Sequence, residues 1–114
     1  MTFKQKFSLD YRNEESKRIR RNYPNRIPVI CEKLYNSDPN INKIKYLIPV
    51  EVTLAYFIFL IRKKYMLNQN EGIFLTINGF IPPGSYCFGK LYDLFSEDDG
   101  FLYINYSVES VFGA

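Results

Sequence analysis

The run from Leu54 to Tyr65 limits the possible folds more than any other part of this 114-residue chain. Thr53 stands before it as a helix N-cap, a position where a hydroxyl satisfies a backbone N–H that the first turn leaves open. Behind it, Leu54, Tyr56, Phe57, Ile58, Phe59, Leu60 and Ile61 leave almost no polar side before Arg62, Lys63 and Lys64 close the run. A short helix with so little polar face has to be wrapped by a sheet. The remaining sequence must therefore supply strands around one central helix.

It does. Ile27 to Cys31 reads as a strand, with Pro28 near its start where a missing N–H is tolerable. Lys45 to Ile48 is a second, ended by Pro49, after a loop from Asn36 to Asn42 rich in Asn, Ser, Asp and Pro. Ile73 to Ile77 is a third, and Asn78-Gly79 a two-residue hairpin turn, from which Phe80-Ile81 begins a return before Pro82-Pro83 halts it. Ser85 is placed to cap a short helix reaching about Phe95, and Phe101 to Tyr106 is the last strand. Two helices precede all of this: a short one over residues 3–8, and Asn13 to Arg21, with Glu14 and Glu15 early and Arg20 and Arg21 late as the helix dipole prefers. Helix, helix, strand, strand, helix, strand, short strand, helix, strand predicts an α+β fold, a ubiquitin-like β-grasp with two additional N-terminal helices and the final strand inserted between others. The expected organisation is one domain: residues 1–22 helical and packed on the core, 23–107 the β-grasp core, and 108–114 a flexible tail.

The chemistry that the chain lacks is informative. Without histidine there is no Cys-His or Ser-His nucleophile, and two cysteines alone close no zinc site. Phosphate-loop and dinucleotide fingerprints are absent. Cys31 and Cys87, in apolar surroundings, read as buried small hydrophobes instead of a disulfide. Glu97-Asp98-Asp99-Gly100, the one tight acidic cluster, reads as a solvated turn and not as a metal or acid/base site. These absences predict a protein that is acted upon: no enzyme, no catalytic residue, no metal and no cofactor. With no membrane-spanning run and no signal sequence, the expected compartment is the cytoplasm, unless something attaches the chain elsewhere.

Charge is unevenly placed, with net +5 over residues 1–26 and net −2 over the rest. Lys4, Lys6, Arg12, Lys17, Arg18, Arg20, Arg21 and Arg26 make a basic N-terminal face, fit for an anionic partner or simply for solvent. The chain ends Val111-Phe112-Gly113-Ala114. A penultimate glycine lets an enzyme's narrow channel accept the backbone and reach the carbonyl, because there is no Cβ in the way. That predicts a free tail, open to trimming and acyl transfer.

Several blocks, in order along the chain, carry a resemblance. They are Arg20 to Ile30 (RRNYPNRIPVI), Lys45 to Pro49 (KYLIP), Phe57 to Lys63 (FIFLIRK), Asn78 to Pro83 (NGFIPP), Gly89 to Tyr92 (GKLY) and Phe101 to Gly113 (FLYINYSVESVFG). From about residue 3 to 114 the chain resembles the autophagy ubiquitin-like modifiers of the GABARAP type. The resemblance implies trimming of the Gly113–Ala114 bond by a dedicated cysteine protease, with Phe112 as its recognition handle. It further implies ATP-dependent activation, then conjugation of Gly113 to phosphatidylethanolamine on autophagosomal or other vesicle membranes.

It also implies docking of short aromatic-x-x-aliphatic motifs from cargo receptors and adaptors. In that reading an aromatic pocket is lined by Glu15, Ile19, Pro28, Ile30, Lys45, Leu47 and Phe101. An aliphatic pocket is lined by Tyr46, Ile48, Pro49, Val52, Phe57 and Leu60. Arg26, Lys43, Lys45 and Lys64 receive the motif's acidic residues. The residues themselves give a physical account: Lys45 to Ile48 offers a strand edge on which a peptide can add a strand. Side chains alternate along it, so Lys45 and Leu47 face one way and Tyr46 and Ile48 the other. Where relatives carry a basic residue, Ile44 stands here, and Asn105 stands in the last strand where a small apolar residue is usual. Partners expected are the protease, the activating and conjugating enzymes, linear motifs and the lipid; the chain is expected to be monomeric in solution. Two rival readings are a ubiquitin-like interaction domain that is never conjugated, and a small basic nucleic-acid-binding module with stacking aromatics.

Overall fold

The computed structural model describes residues 1–35, 38, 41 and 43–110. Its elements run α1 (Phe3–Lys6), α2 (Leu9–Asn22), β1 (Arg26–Lys33), β2 (Lys45–Pro49), α3 (Leu54–Lys64), β3 (Glu71–Thr76), α4 (Phe88–Phe95) and β4 (Leu102–Ser110). The four strands form one mixed sheet in the order β2-β1-β4-β3. The last strand is inserted, as the sequence predicts: β4 runs parallel to β1, with Ile30 opposite Tyr103, and antiparallel to β3, with Leu75 opposite Tyr106. The fold is the expected α+β ubiquitin-like arrangement.

Layers form on both faces of the sheet. Leu54, Phe57 and Ile61 of α3 and Phe88 and Leu91 of α4 pack on Val29, Cys31, Ile48, Leu75, Leu102, Ile104 and Tyr106. On the opposite face, Ile19 of α2 packs with Ile30 and Phe101, and Phe3 of α1, Leu47 and Tyr103 close around them. Burial pushes the Cys31 thiol up to about 12, so it behaves as the small hydrophobe expected of it. Cys87 is only partly buried, and both cysteines are free.

Local chemistry explains the boundaries that differ from expectation. Helix α2 begins a turn earlier than Asn13 because the Ser8 hydroxyl accepts the Tyr11 N–H. Thr53 caps α3 as expected, accepting from the Tyr56 N–H at 3.2 Å. Ser85 does not cap α4. The Tyr86 N–H donates to the Pro83 carbonyl and the Leu54 N–H to the Tyr86 carbonyl, so this stretch is committed to a turn and to the α3 entry. The helix starts only after Cys87, which has no side-chain cap bond. Asn78 and Gly79 make the expected turn, both at positive φ, but the return is a single bridge from Ile77 to Phe80. Two prolines without N–H groups follow at once, and no ladder can grow from them.

Three further expectations are corrected. Helix α3 is not enclosed: Tyr56, Phe59 and Leu60 are exposed, since the sheet covers one side only and an 11-residue helix buries one stripe against it. Nor is residues 97–100 a wholly solvated turn. Asp98 is exposed, but Asp99 is buried, accepting from Arg12 Nη1 at 2.9 Å, from the Phe101 N–H at 3.0 Å and from the Tyr103 hydroxyl. Its charge ties α2 to the start of β4. Strand β4 also continues past Tyr106, pairing Val108 with Ile73 and Ser110 with Glu71, so residues 108–110 belong to the sheet.

Candidate functional site

The site is built on β2, which lies at one end of the sheet and pairs with β1 alone among the described residues. Its burial alternates as a half-covered edge strand requires. Lys45 is exposed and Leu47 partly covered on the α1/α2 side, while Tyr46 and Ile48 are buried on the α3 side. One strand thus presents two chemically different faces.

On the α3 side lies an apolar cleft of about 240 Å³, lined by Tyr46, Leu47, Ile48, Pro49, Val52, Phe57, Leu60, Ile61 and Lys64. All six residues assigned to the aliphatic pocket are among them. The walls follow from local structure: Phe57, Leu60 and Ile61 recur at helical spacing on α3, Pro49 ends β2, and Val52 comes from the connection between β2 and α3. Tyr46 and Phe57 meet edge to face, ring centroids 5.2 Å apart, which stiffens the floor. Burial raises the Tyr46 phenol well above its ordinary range, so it stays neutral. Ile61 is the lining residue that sequence reasoning missed. Its spacing of four from Phe57 was the available signal.

On the other side, the seven residues assigned to the aromatic pocket also converge. Ile19, Ile30 and Phe101 are fully buried together, Leu47 packs on them, and Pro28 stands opposite Leu47 in the ladder. Beside them an ion pair links α2 to β2: Lys45 Nζ lies 3.0 Å from Glu15 Oε1, and Arg18 pairs with the same carboxylate at 2.7 Å. Arg18 first, then Lys45, hold the Glu15 carboxyl down at about 2. A carboxyl with a lowered folded-state pKa adds stability above its ordinary value near 4.5 and loses it as pH falls toward 2. Glu15→Gln is therefore expected to destabilise the protein at pH 6 and to cost progressively less toward pH 3. Urea midpoints of the two proteins should converge on acidification; a constant gap would remove the ion pair as its cause.

The four cations assigned to peptide acids surround the strand and are internally engaged. Arg26 donates to the Leu47 carbonyl at 3.2 Å, Lys45 pairs with Glu15, and Lys43 and Lys64 lie over the Tyr46 and Tyr65 rings. Much of the basic N-terminal face is likewise spent within the fold. Arg12 binds Asp99, Lys4 binds Glu97, and Arg20 donates to the Arg26 carbonyl. Asn105, partly buried, donates a long bond (3.4 Å) to the Glu32 carbonyl. Phe112, Gly113 and Ala114 lie outside the described residues, as does most of the Asn36 to Asn42 loop. No group of acidic or thiol side chains suited to a metal ion occurs among the described residues, and no described helix is long and apolar enough to cross a membrane.

Comparison with known proteins decides the family. A model described as "Autophagy protein Atg8 ubiquitin like" matches residues 11–113. The chain belongs to the Atg8 family. It is 46% identical over 112 residues to Autophagy-related protein 8 of Schizosaccharomyces pombe, covering 97% of this chain and 93% of that one. It is 43% identical over 113 residues to the Saccharomyces cerevisiae (strain YJM789) protein of that name, covering 98% and 97%. The crystal structure of Trypanosoma brucei ATG8 superimposes with a TM-score of 0.88 at 31% identity, over 99% of this chain and 98% of that one. Atg8 proteins are ubiquitin-like modifiers and adaptors of autophagy, not enzymes, and this chain is one of them. That sets aside the nucleic-acid reading.

Proposed function

We propose that this Atg8-family chain is trimmed after Gly113 and conjugated to phosphatidylethanolamine, and that on autophagosomal membranes it docks aromatic-x-x-aliphatic motifs through β2. Trimming breaks the Gly113–Ala114 peptide bond. The freed carboxyl is activated at the expense of ATP as a thioester, and the lipid amine then displaces the thiol to leave an amide on the Gly113 carbonyl carbon. The partners are a processing cysteine protease, with Phe112 as its handle, and the activating and conjugating enzymes. Before conjugation the chain is a cytoplasmic monomer; afterwards it is held on the membrane by its lipid.

The single observation that carries the docking half is the apolar cleft beside an unpaired strand edge. An extended peptide adding to β2 alternates its side chains, so anchors three apart point to opposite sides. One enters the α3-side cleft and the other the Glu15/Lys45 side. Leu60, exposed at the cleft rim, is the cleanest handle because its loss leaves the buried stripe of α3 intact. Leu60→Glu is expected to weaken binding of an acid-flanked aromatic-x-x-aliphatic peptide by at least about tenfold in calorimetric titration, through loss of apolar contact and charge repulsion. Unchanged affinity would remove the cleft from the docking site.

The conjugation half is tested by intact mass of the protein recovered from its own cells. Loss of Ala114 together with gain of one phospholipid is expected, and Gly113→Ala should abolish both. A chain recovered at full length under conditions that induce autophagy would favour the unconjugated interaction domain.

A further inference from the structure

We propose that Arg26 guards the docking edge and makes affinity conditional on acid in the incoming peptide; this deepens the docking reading above and rests on it. Strands β1 and β2 exchange backbone bonds at alternate pairs. The Cys31 N–H donates to the Ile44 carbonyl at 2.8 Å, and the Val50 N–H to the Asn25 carbonyl at 3.0 Å. Between those rungs Val29 stands opposite Tyr46 and Ile27 opposite Ile48. The alternation therefore assigns Tyr46 and Ile48 to bonding with β1, and turns the N–H and C=O of Lys45 and Leu47 outward. Pro28, opposite Leu47, sits where β1 has no bond to give on this side, so its missing N–H is harmless there.

The outward Leu47 carbonyl is the group on which an added strand would pair, and Arg26 Nη1 already donates to it at 3.2 Å. Arg20 donates to the carbonyl of Arg26 itself at 3.1 Å, steadying the backbone from which the guanidinium reaches. A charged side chain laid across an open edge is a recognised protection against unwanted strand pairing.

Arg26 differs in one respect from the other three cations around β2. Lys45 rests on Glu15, Lys43 on the Tyr46 ring and Lys64 on the Tyr65 ring, none of them backbone acceptors of the edge. Arg26 occupies an acceptor that strand addition must use. An incoming chain has to displace it. A peptide bearing carboxylates offers the released guanidinium a two-pronged acceptor in exchange. A neutral peptide offers it solvent. Acid thus acts by retiring a competitor, beyond simple attraction to a basic surface.

The test is calorimetric titration of the full chain and of Arg26→Met, which keeps the apolar stem, with two aromatic-x-x-aliphatic peptides differing only in Glu or Gln at the flanking positions. Arg26→Met is expected to tighten the Gln peptide about threefold and weaken the Glu peptide about threefold, cutting the preference between them about tenfold. A Gln peptide that binds the variant no better than the parent overturns the guard. A second readout needs no peptide: the carbonyl carbon resonance of Leu47 in labelled, unliganded protein should move on Arg26→Met, and an unmoved signal also overturns it. If the parent protein binds neither peptide, the docking reading falls and the selectivity falls with it. If the parent binds both and the Gln peptide is indifferent to Arg26, only the guard is lost.

Discussion

Phe57→Ala is expected to lower the unfolding free energy by about 3–5 kcal/mol, the range for removing a buried aromatic side chain from a packed core. At this chain length that is a fall in Tm of more than about 10 °C. Phe57 is 5% exposed and sits between two other rings, edge to face with Tyr46 at 5.2 Å and with Phe88 at 5.2 Å. It therefore joins β2, α3 and α4 at a single point. Truncation would leave a void bounded by rings that backbone hydrogen bonds hold apart, so collapse is only partial. Because Phe57 also walls the apolar cleft, the void would open into it, and docking would suffer at temperatures where the fold survives. Phe57→Leu, which keeps most of the volume, should cost less than half as much. Urea unfolding checks the ordering; equal losses for Ala and Leu would show that the ring contacts add nothing beyond filling space.

Gly100→Ala is expected to cost about 2–4 kcal/mol, although it adds a single methyl group. Two terms combine. Gly100 has φ +86°, where an L-residue is strained, and a Cβ there would lie 2.3 Å from Ser16 Oγ and 2.9 Å from Ser16 Cβ. Ser16 cannot swing away cheaply: it is 3% exposed, short, fixed on α2, and donates to the Asp99 carbonyl. Gly79 supplies the internal control, with φ +85° but no atom within 4 Å of an added Cβ. Gly79→Ala should therefore show the backbone strain alone, about 1–2 kcal/mol. Pairing Gly100→Ala with Ser16→Gly should recover part of the difference, measured as a double-mutant cycle in urea. Equal losses at the two glycines would mean that the close approach of α2 to residues 99–100 is not a constraint.

That close approach shows where reading from the chain fell short. Glu97-Asp98-Asp99-Gly100 has the composition of a surface turn, and Asp98 obeys it. Asp99 does not, because Arg12 and Ser16, more than eighty positions away, are carried over it by α2. Nothing local distinguishes two adjacent aspartates of which one is solvated and the other ion-paired in the interior. The α3 run fails in the opposite direction. Its composition demanded burial all round, yet Tyr56 and Phe59 face outward and stack on each other at 6.2 Å. A curled sheet has one concave side, and only a stripe of the helix fits it.

Other features were local, and those were legible. Thr53 caps α3 because the hydroxyl reaches an N–H three residues on. Asn78-Gly79 turns because both positions take positive φ. Lys45 betrayed an edge strand because a charge flanked by apolar residues is useful only where one face meets water. From these the strand edge and the alternation of its two faces could be read; the residues assigned to each pocket came from the family resemblance. What sequence order could not supply was the spacing between elements: that Glu15 of α2 would bridge to Lys45, or that Arg26 would reach the Leu47 carbonyl. Caps, turns and alternation act over about four residues and are written in the chain. Bridges between elements depend on how rigid pieces come to rest against one another, and that is settled only when the whole sheet has closed.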